Sequence, residues 1–505
     1  MSVIKKLAGE TAIYGISSIV GRFLNFLLTP FYTIVVFSDK TNQFGIVTEL
    51  YSYIVFFLII LTFGMETGYF RFVQDKDLKN KVFSTISTTL IASSALFLGF
   101  VIFFLDSFSE FLSYKNNEIF ILFVCIIIVL DVITALPFAK LRHQSRSKRF
   151  AILKIINIAV NIAFNLLFYL VIPKFYHIAI IKDIFDIEYI VIYVFISNII
   201  ASVVTLLMLL PEYLKETFSF DFSLLKRILY YSFPVMLAGL AGQINELIDR
   251  PLLRHLLVVP EHLTSAEKND FILSQIGVYG ANFKLAIIIT LFVQAFRFAF
   301  EPMFFKSGKN EDSKQNYSKI MTYFLIFSLS IFLVISLYLP VFKYFIGVSY
   351  WQGLKIVPII LFSQVLLGIL FNLSLWYKLS DKTFYGLIIT GIGALITVGS
   401  NYILIPQFGY LGAAWTHVIC YSIIVLISYF LGRKYFDVPY NIKSILQYII
   451  FAVLLYYIST IISIESMLIS LFVNTALFLL FIALVYFKEI NTIKKLLNYG
   501  VKSNK

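Results

Sequence analysis

Fourteen stretches of this chain each hold about 20 largely apolar residues, the length a helix needs to cross a hydrocarbon core roughly 30 Å thick. With 60% hydrophobic and 14% charged residues over 505 positions, there is too little polar surface to clothe a water-soluble protein of this size. That balance excludes a soluble enzyme, a disordered scaffold and a secreted disulfide module. Cys125 and Cys420, the two cysteines, both lie inside apolar runs, so neither a disulfide nor a redox role is expected. The first run, Thr11–Phe37, is too long for a signal-peptide core and lacks a small-residue cleavage site, so retention of this span is expected.

The positive residues test the span count independently, because loops on the cytoplasmic side gather Lys and Arg. With the N-terminus inside, the inside loops hold 28 of the 41 bases, the outside loops 8 and the spans 5. Every inside loop is populated, so both termini are placed inside, in a multi-pass protein of the inner (plasma) membrane. The net charge of +13 therefore reflects orientation in the bilayer, and no nucleic-acid partner is expected.

The chain divides into residues 1–210, a six-helix bundle; 211–228, an amphipathic cytoplasmic connector; 229–436, a second six-helix bundle; 437–487, helices 13 and 14; and 488–505, a basic tail. Six is even, so the two bundles start on the same side and are parallel repeats about an axis along the membrane normal. Phe44-Gly-Ile-Val in span 2 and Ile276-Gly-Val-Tyr in span 8 echo one another, and Glu66 and Glu301 close the same two spans. The expected fold is all-α: fourteen transmembrane helices, two six-helix bundles around a central cavity, and two C-terminal helices.

Ionisable residues inside spans are costly, about 2.5–3.5 kcal/mol each near the bilayer centre, and face a bundle interior or a wet cavity. In span 1, Thr11, Gly15, Ser18, Arg22, Asn25 and Thr29 form one stripe at helical spacing. Such a stripe reads as a cavity wall, with helix–helix bonding as the alternative. Span 7 carries Gln243, Glu246 and Arg250 on one face; span 8 carries Lys284, Gln294, Arg297 and Glu301, the last pair one turn apart and able to neutralise each other. Lys154, Asn157, Asn161 and Asn165 stripe span 5, as cavity lining or as interhelical bonds. The candidate substrate-binding set is Ser18, Arg22, Asn25, Arg250, Lys284 and Arg297. Glu49, Asp131 and Glu246 are candidate ion-coupling acids or salt-bridge partners. The excess of bases describes a net-positive vestibule that attracts a diphosphate or another anion.

The five histidines show no metal-ligand spacing, and Gly-x-x-x-x-Gly-Lys-Ser/Thr does not occur, so no metal, cofactor or nucleotide hydrolysis is expected. The longest outside loop, Ile248–Leu273, is short for a catalytic domain. Asp249-Arg250 is its one charged motif of note.

The opening helix Tyr14-Gly-Ile-Ser-Ser-Ile-Val-Gly-Arg-Phe-Leu-Asn-Phe-Leu-Leu-Thr-Pro-Phe-Tyr32 resembles that of polysaccharide-export flippases. Phe44-Gly-Ile-Val47, Gly64-Met-Glu-Thr-Gly-Tyr-Phe-Arg-Phe72, Ile248-Asp-Arg250, Ile276-Gly-Val-Tyr-Gly-Ala281 and Gly409-Tyr-Leu-Gly-Ala-Ala-Trp415 fit the same family. The resemblance, over essentially the whole chain, is to Wzx-type lipid-linked oligosaccharide flippases of the multidrug/oligosaccharidyl-lipid/polysaccharide exporter superfamily. It implies two bundles around a cavity opening alternately to each face. The implied task is moving polyprenyl-diphosphate oligosaccharide units to the periplasmic leaflet for O-antigen, capsule or exopolysaccharide synthesis, with Arg22 and Arg250 matching family cations. It also implies membrane lipids, a polysaccharide polymerase and glycosyltransferases as partners, with the chain a monomer and not an enzyme. A cation-exporting multidrug transporter of the same fold is the alternative, and a polysaccharide polymerase or ligase a more distant one.

Overall fold

The computed structural model describes residues 3–75, 78–115, 117–186, 190–307, 311–462 and 466–502. Fourteen of its helices are long and apolar enough to cross a membrane. They are α1 (Ser17–Val36), α2 (Thr41–Phe72), α3 (Lys81–Phe103), α4 (Glu118–His143), α5 (Ser147–Phe175), α6 (Ile192–Leu214) and α7 (Phe222–Leu247), then α8 (Ser265–Phe298), α9 (Asp312–Leu337), α10 (Val348–Leu379), α11 (Phe384–Phe408), α12 (Tyr410–Tyr435), α13 (Ile442–Ile461) and α14 (Met467–Ile490). Side chains such as Leu96, Phe103, Leu395, Leu468 and Phe472 stand exposed on the outer surface. That many exposed apolar groups belong in lipid, where intrahelical bonding satisfies the backbone. This is a multi-pass membrane protein. An even number of crossings puts both ends of the chain on one face, called here the terminal face, opposite the far face.

Helices α1–α6 pack as one half and α7–α12 as the other, while α13 and α14 lie against α9. The expected connector is shorter than the composition suggested. Pro211 sits inside a helix running to Leu214, and the next begins at Phe222, leaving residues 215–221 between them. Asp221 starts α7 by accepting the Leu224 amide at 3.0 Å, a bond that holds its carboxyl below the usual range. The expected tail is likewise no separate element at residue 488: the last helix runs unbroken from Met467 to Lys502.

One irregularity shapes the first half. The helix Thr41–Thr62 stops at Phe63 and Gly64, both left-handed, and resumes at Met65. Gly64 is required there twice over, by its φ of +65° and because a Cβ would lie 2.8 Å from the Ser232 carbonyl oxygen of α7. The kink brings Glu66 to Arg142 on α4, paired at 2.6 Å. Beside it, Glu212, buried at the end of α6, gathers Lys140 at 3.5 Å, Arg146 at 2.8 Å and Arg149 at 3.0 Å. These charges tie α4, α5 and α6 together on the terminal face.

Candidate functional site

Between the halves lies a central cavity of about 390 Å³. Asn25, Thr29 and Tyr32 of α1 and Thr48, Tyr51 and Ser52 of α2 form one wall; Arg250, Gly280, Phe283 and Lys284 form the other. Asn161 and Asn198 extend the wall from α5 and α6. Among the described residues its two charged lining side chains are Arg250 and Lys284, both cationic and close enough to repel each other. Lys284 is exposed although it lies deep in a spanning helix, so its surroundings are open space, and it makes no ion pair among the described residues.

Arg250 is built in differently. Its guanidinium donates to Asp249 Oδ1 at 2.8 Å and to the Glu246 carbonyl at 2.9 Å, and it lies 4.5 Å over the Phe283 ring. Asp249 is held in turn by His417 at 2.9 Å and by the Tyr279 hydroxyl. The result is a rigid cation whose other face points into the cavity.

The far face is sealed by direct contact between the halves. Thr41 meets Ser274 at 2.6 Å, Asn42 donates to Asp270 at 3.1 Å, and Tyr350 donates to the Phe37 carbonyl at 2.8 Å. The helices α2 and α8 touch through glycine: a Cβ at Gly45 would stand 1.9 Å from the Leu273 carbonyl oxygen, and one at Gly277 would stand 2.0 Å from that of Thr41. The two glycines of the sequence echo thus meet in one seam. Deeper in, Glu49 of α2 pairs with Arg254, which follows α7, through Oε2–Nη2 at 2.8 Å and Oε1–Nε at 3.0 Å. Tyr114 donates to Glu49 Oε2 at 2.8 Å. Neither charge reaches solvent: Glu49 is 0% and Arg254 2% exposed.

Truncating one partner of such a pair strands a buried charge and costs about 3–5 kcal/mol. We expect Glu49→Ala to lower the unfolding midpoint of the detergent-solubilised protein markedly, and Arg254→Met in the same chain to recover most of the loss.

The sequence expectations are partly redrawn. Asn25, Arg250 and Lys284 meet in the cavity, while Ser18, Arg22 and Arg297 do not line it. The span 1 stripe is about 27 Å long at 1.5 Å per residue, and among its described residues Asn25 and Thr29 line the cavity, so its lower part does other work. There Ser18 donates to the Tyr14 carbonyl at 2.9 Å, and Gly15 packs on Phe298. Arg297 lies thirteen residues from Lys284, about 20 Å along the same helix. Arg22 and Arg297 instead lie nearer the terminal face, both exposed and within reach of each other's field, with Arg297 5.2 Å over the Phe371 ring in a small pocket of the second half. Of the acids, Glu49 is a salt-bridge partner, and Glu246 accepts from Tyr421. Asp131 accepts from Ser202 at 3.0 Å and feels the charge of Lys154. The side chains of Thr11 and Glu301 lie outside the described residues.

The span 5 stripe serves both expected purposes. Asn165 accepts from the Tyr32 hydroxyl at 2.7 Å as an interhelical bond, whereas Lys154, Asn157 and Asn161 line a second cavity. This annex, about 540 Å³, lies inside the first half among α1, α2, α4, α5 and α6, and shares Asn25, Asn161 and Asn198 with the central cavity. Arg254, His417 and the annex escaped sequence reasoning. A base in an outside loop is ordinary, and no spacing among the histidines singles out His417.

A family model described as "Polysaccharide biosynthesis protein" matches residues 7–308. No curated protein matches the chain. Among solved structures, the lipid II flippase MurJ in an inward closed conformation superposes with a TM-score of 0.71 at 14% identity, covering 95% of this chain and 100% of its own. A MATE transporter in complex with MaD3S gives 0.58 at 14% identity, covering 86% of this chain and 98% of its own. An outward-facing multidrug resistance MATE family transporter of the MOP superfamily gives 0.57 at 15% identity, covering the same shares. At such identities the likeness is one of fold. With more than half of its length matched by the family model, the chain belongs to the polysaccharide biosynthesis protein family, and it shares its fold with MurJ and the MATE transporters.

Proposed function

We propose that the protein flips polyprenyl-diphosphate-linked oligosaccharides from the cytoplasmic to the periplasmic leaflet by alternating access, with its terminal face cytoplasmic. The observation that carries this reading is the central cavity, whose charged lining side chains among the described residues are the cations Arg250 and Lys284. A cation exporter requires the opposite sign there. Moving a doubly charged headgroup through hydrocarbon is prohibitive, and a wet, cationic chamber replaces the water it sheds.

In this reading Arg22 and Arg297 attract the diphosphate near the cytoplasmic side, and Lys284 with Arg250 holds it about 20 Å further in. The polyprenyl tail stays in the bilayer between the halves. Parting of the α2–α8 seam and of the Glu49–Arg254 pair then opens the cavity to the periplasm. Glycosyltransferases supply the substrate on one side, and a polymerase consumes it on the other.

The test is reconstitution in vesicles with a fluorescent undecaprenyl-diphosphate oligosaccharide, scored by a sugar-modifying reagent that reaches one leaflet only. Protein-dependent exposure of the inner-leaflet pool is expected. Vesicles that expose no more lipid than protein-free controls, while taking up cationic dyes, would replace this reading with drug export.

A further inference from the structure

The annex inside the first half is not used in the flippase reading above, yet it is larger than the central cavity, at about 540 against 390 Å³. We propose that it is the glycan site: it receives the sugars attached to the diphosphate and selects among them through hydroxyl hydrogen bonds. This rests on the flippase reading of the central cavity.

Three observations converge. First, the charge differs. The annex is lined by two acids, Glu66 and Asp131, and two bases, Arg142 and Lys154, with Glu66 and Arg142 already paired at 2.6 Å. A balanced lining offers no net pull on an anion, unlike the paired cations next door. Second, the polar groups suit hydroxyls, which donate and accept at once. Asparagine amides and Ser and Thr hydroxyls do the same, and the annex concentrates Asn157, Asn161, Asn198, Ser202 and Thr205. Part of this capacity is spent internally: Asn157 donates to Thr205 at 2.9 Å, Ser202 to Asp131 at 3.0 Å, Asn198 to Tyr51 at 2.7 Å and Thr205 to the Ala201 carbonyl at 2.8 Å, while Asn161 Oδ1 accepts from Asn165 at 2.9 Å. The amide of Asn25 and the Nδ2 of Asn161 have no partner among the described residues. Third, the location fits covalent geometry. The first sugar is bonded directly to the diphosphate, so its site must adjoin the phosphate site, and Asn25, Asn161 and Asn198 line both cavities.

The volume falls in the range of pockets that enclose small organic ligands, roughly 300–1,000 Å³. A site built to bond hydroxyls rejects a ligand lacking them far more strongly than an apolar pocket does. The annex therefore sets which repeat unit is carried, while the central cations act on any lipid diphosphate.

The experiment measures binding to the full-length protein in nanodiscs by native mass spectrometry. Two probes are used: undecaprenyl diphosphate without sugar, and the lipid-linked oligosaccharide pool extracted from the cells that make the protein. Wild type should prefer the glycan-bearing lipids at least tenfold. Ala135→Phe, which fills the annex, and Asn157→Leu, which removes a polar group, should bind the bare lipid as wild type does and lose that preference. Normal binding of the bare lipid also shows that each variant is folded. Retention of the preference in both variants overturns the inference and leaves the flippase reading intact. So does normal binding of both lipids together with loss of flipping, which would make the annex a coupling-ion or conformational site. Failure of wild type to bind either probe overturns the flippase reading itself.

Discussion

Lys284→Ala is expected to weaken binding of lipid diphosphates about 10- to 150-fold, the equivalent of a charge-assisted hydrogen bond of about 1.5–3 kcal/mol, while leaving the protein folded. The reasoning turns on what Lys284 lacks. It has no ion pair among the described residues and stands exposed in the central cavity, so its removal strands no counter-charge and opens no packed core. Binding falls, flipping falls with it wherever the lipid is below saturation, and the unfolding midpoint holds. Lys284→Arg should retain most activity, and Lys284→Glu should abolish it, because the cavity's net charge passes from two positive groups to a cancelling pair. An alanine variant that flips at the wild-type rate would remove the cavity from the transport path.

Gly45→Leu is expected to abolish transport altogether by a different route. A Cβ at position 45 collides with the Leu273 backbone at 1.9 Å, and a backbone cannot swing aside as a side chain does. The far face then cannot close. A cysteine pair at Thr41 and Ser274, whose hydroxyls lie 2.6 Å apart, reads this directly. In an otherwise native chain the pair should cross-link readily under oxidation, and with Gly45→Leu it should not. The native Cys125 and Cys420 are buried and leave the measurement clean. Efficient cross-linking in the leucine variant would show that the seam is not where the halves part.

Much of this architecture was legible because membrane spans declare themselves by length and hydropathy, and the loops by the placement of Lys and Arg. Lys284 was legible for the same reason: a lone cation within an apolar run costs too much to lie against lipid. Arg254 was not, since a base in a 26-residue loop between spans costs nothing until Glu49, 205 positions earlier, is found beside it. Likewise Asp249, Tyr279 and His417 come from three separate helices, and only packing brings them together behind Arg250. The annex belongs to the same class. One wall, the span 5 stripe, was visible, while its other walls come from four more helices. Arg22 shares the stripe of Asn25 and Thr29 but not their place in the chamber wall, because helical spacing shows which residues share a face and not where a cavity along that face ends.

The two walls of the central chamber come from different halves, Asn25 from one and Lys284 with the braced Arg250 from the other, and in the proposed alternating-access cycle these halves move apart. A guest that grips both is a staple, and its binding free energy adds to whatever already holds the halves together. An occupied carrier is then harder to pry apart than a vacant one until the guest releases one wall, so turnover should slow as the grip tightens, and the best-held cargo need not be the fastest carried.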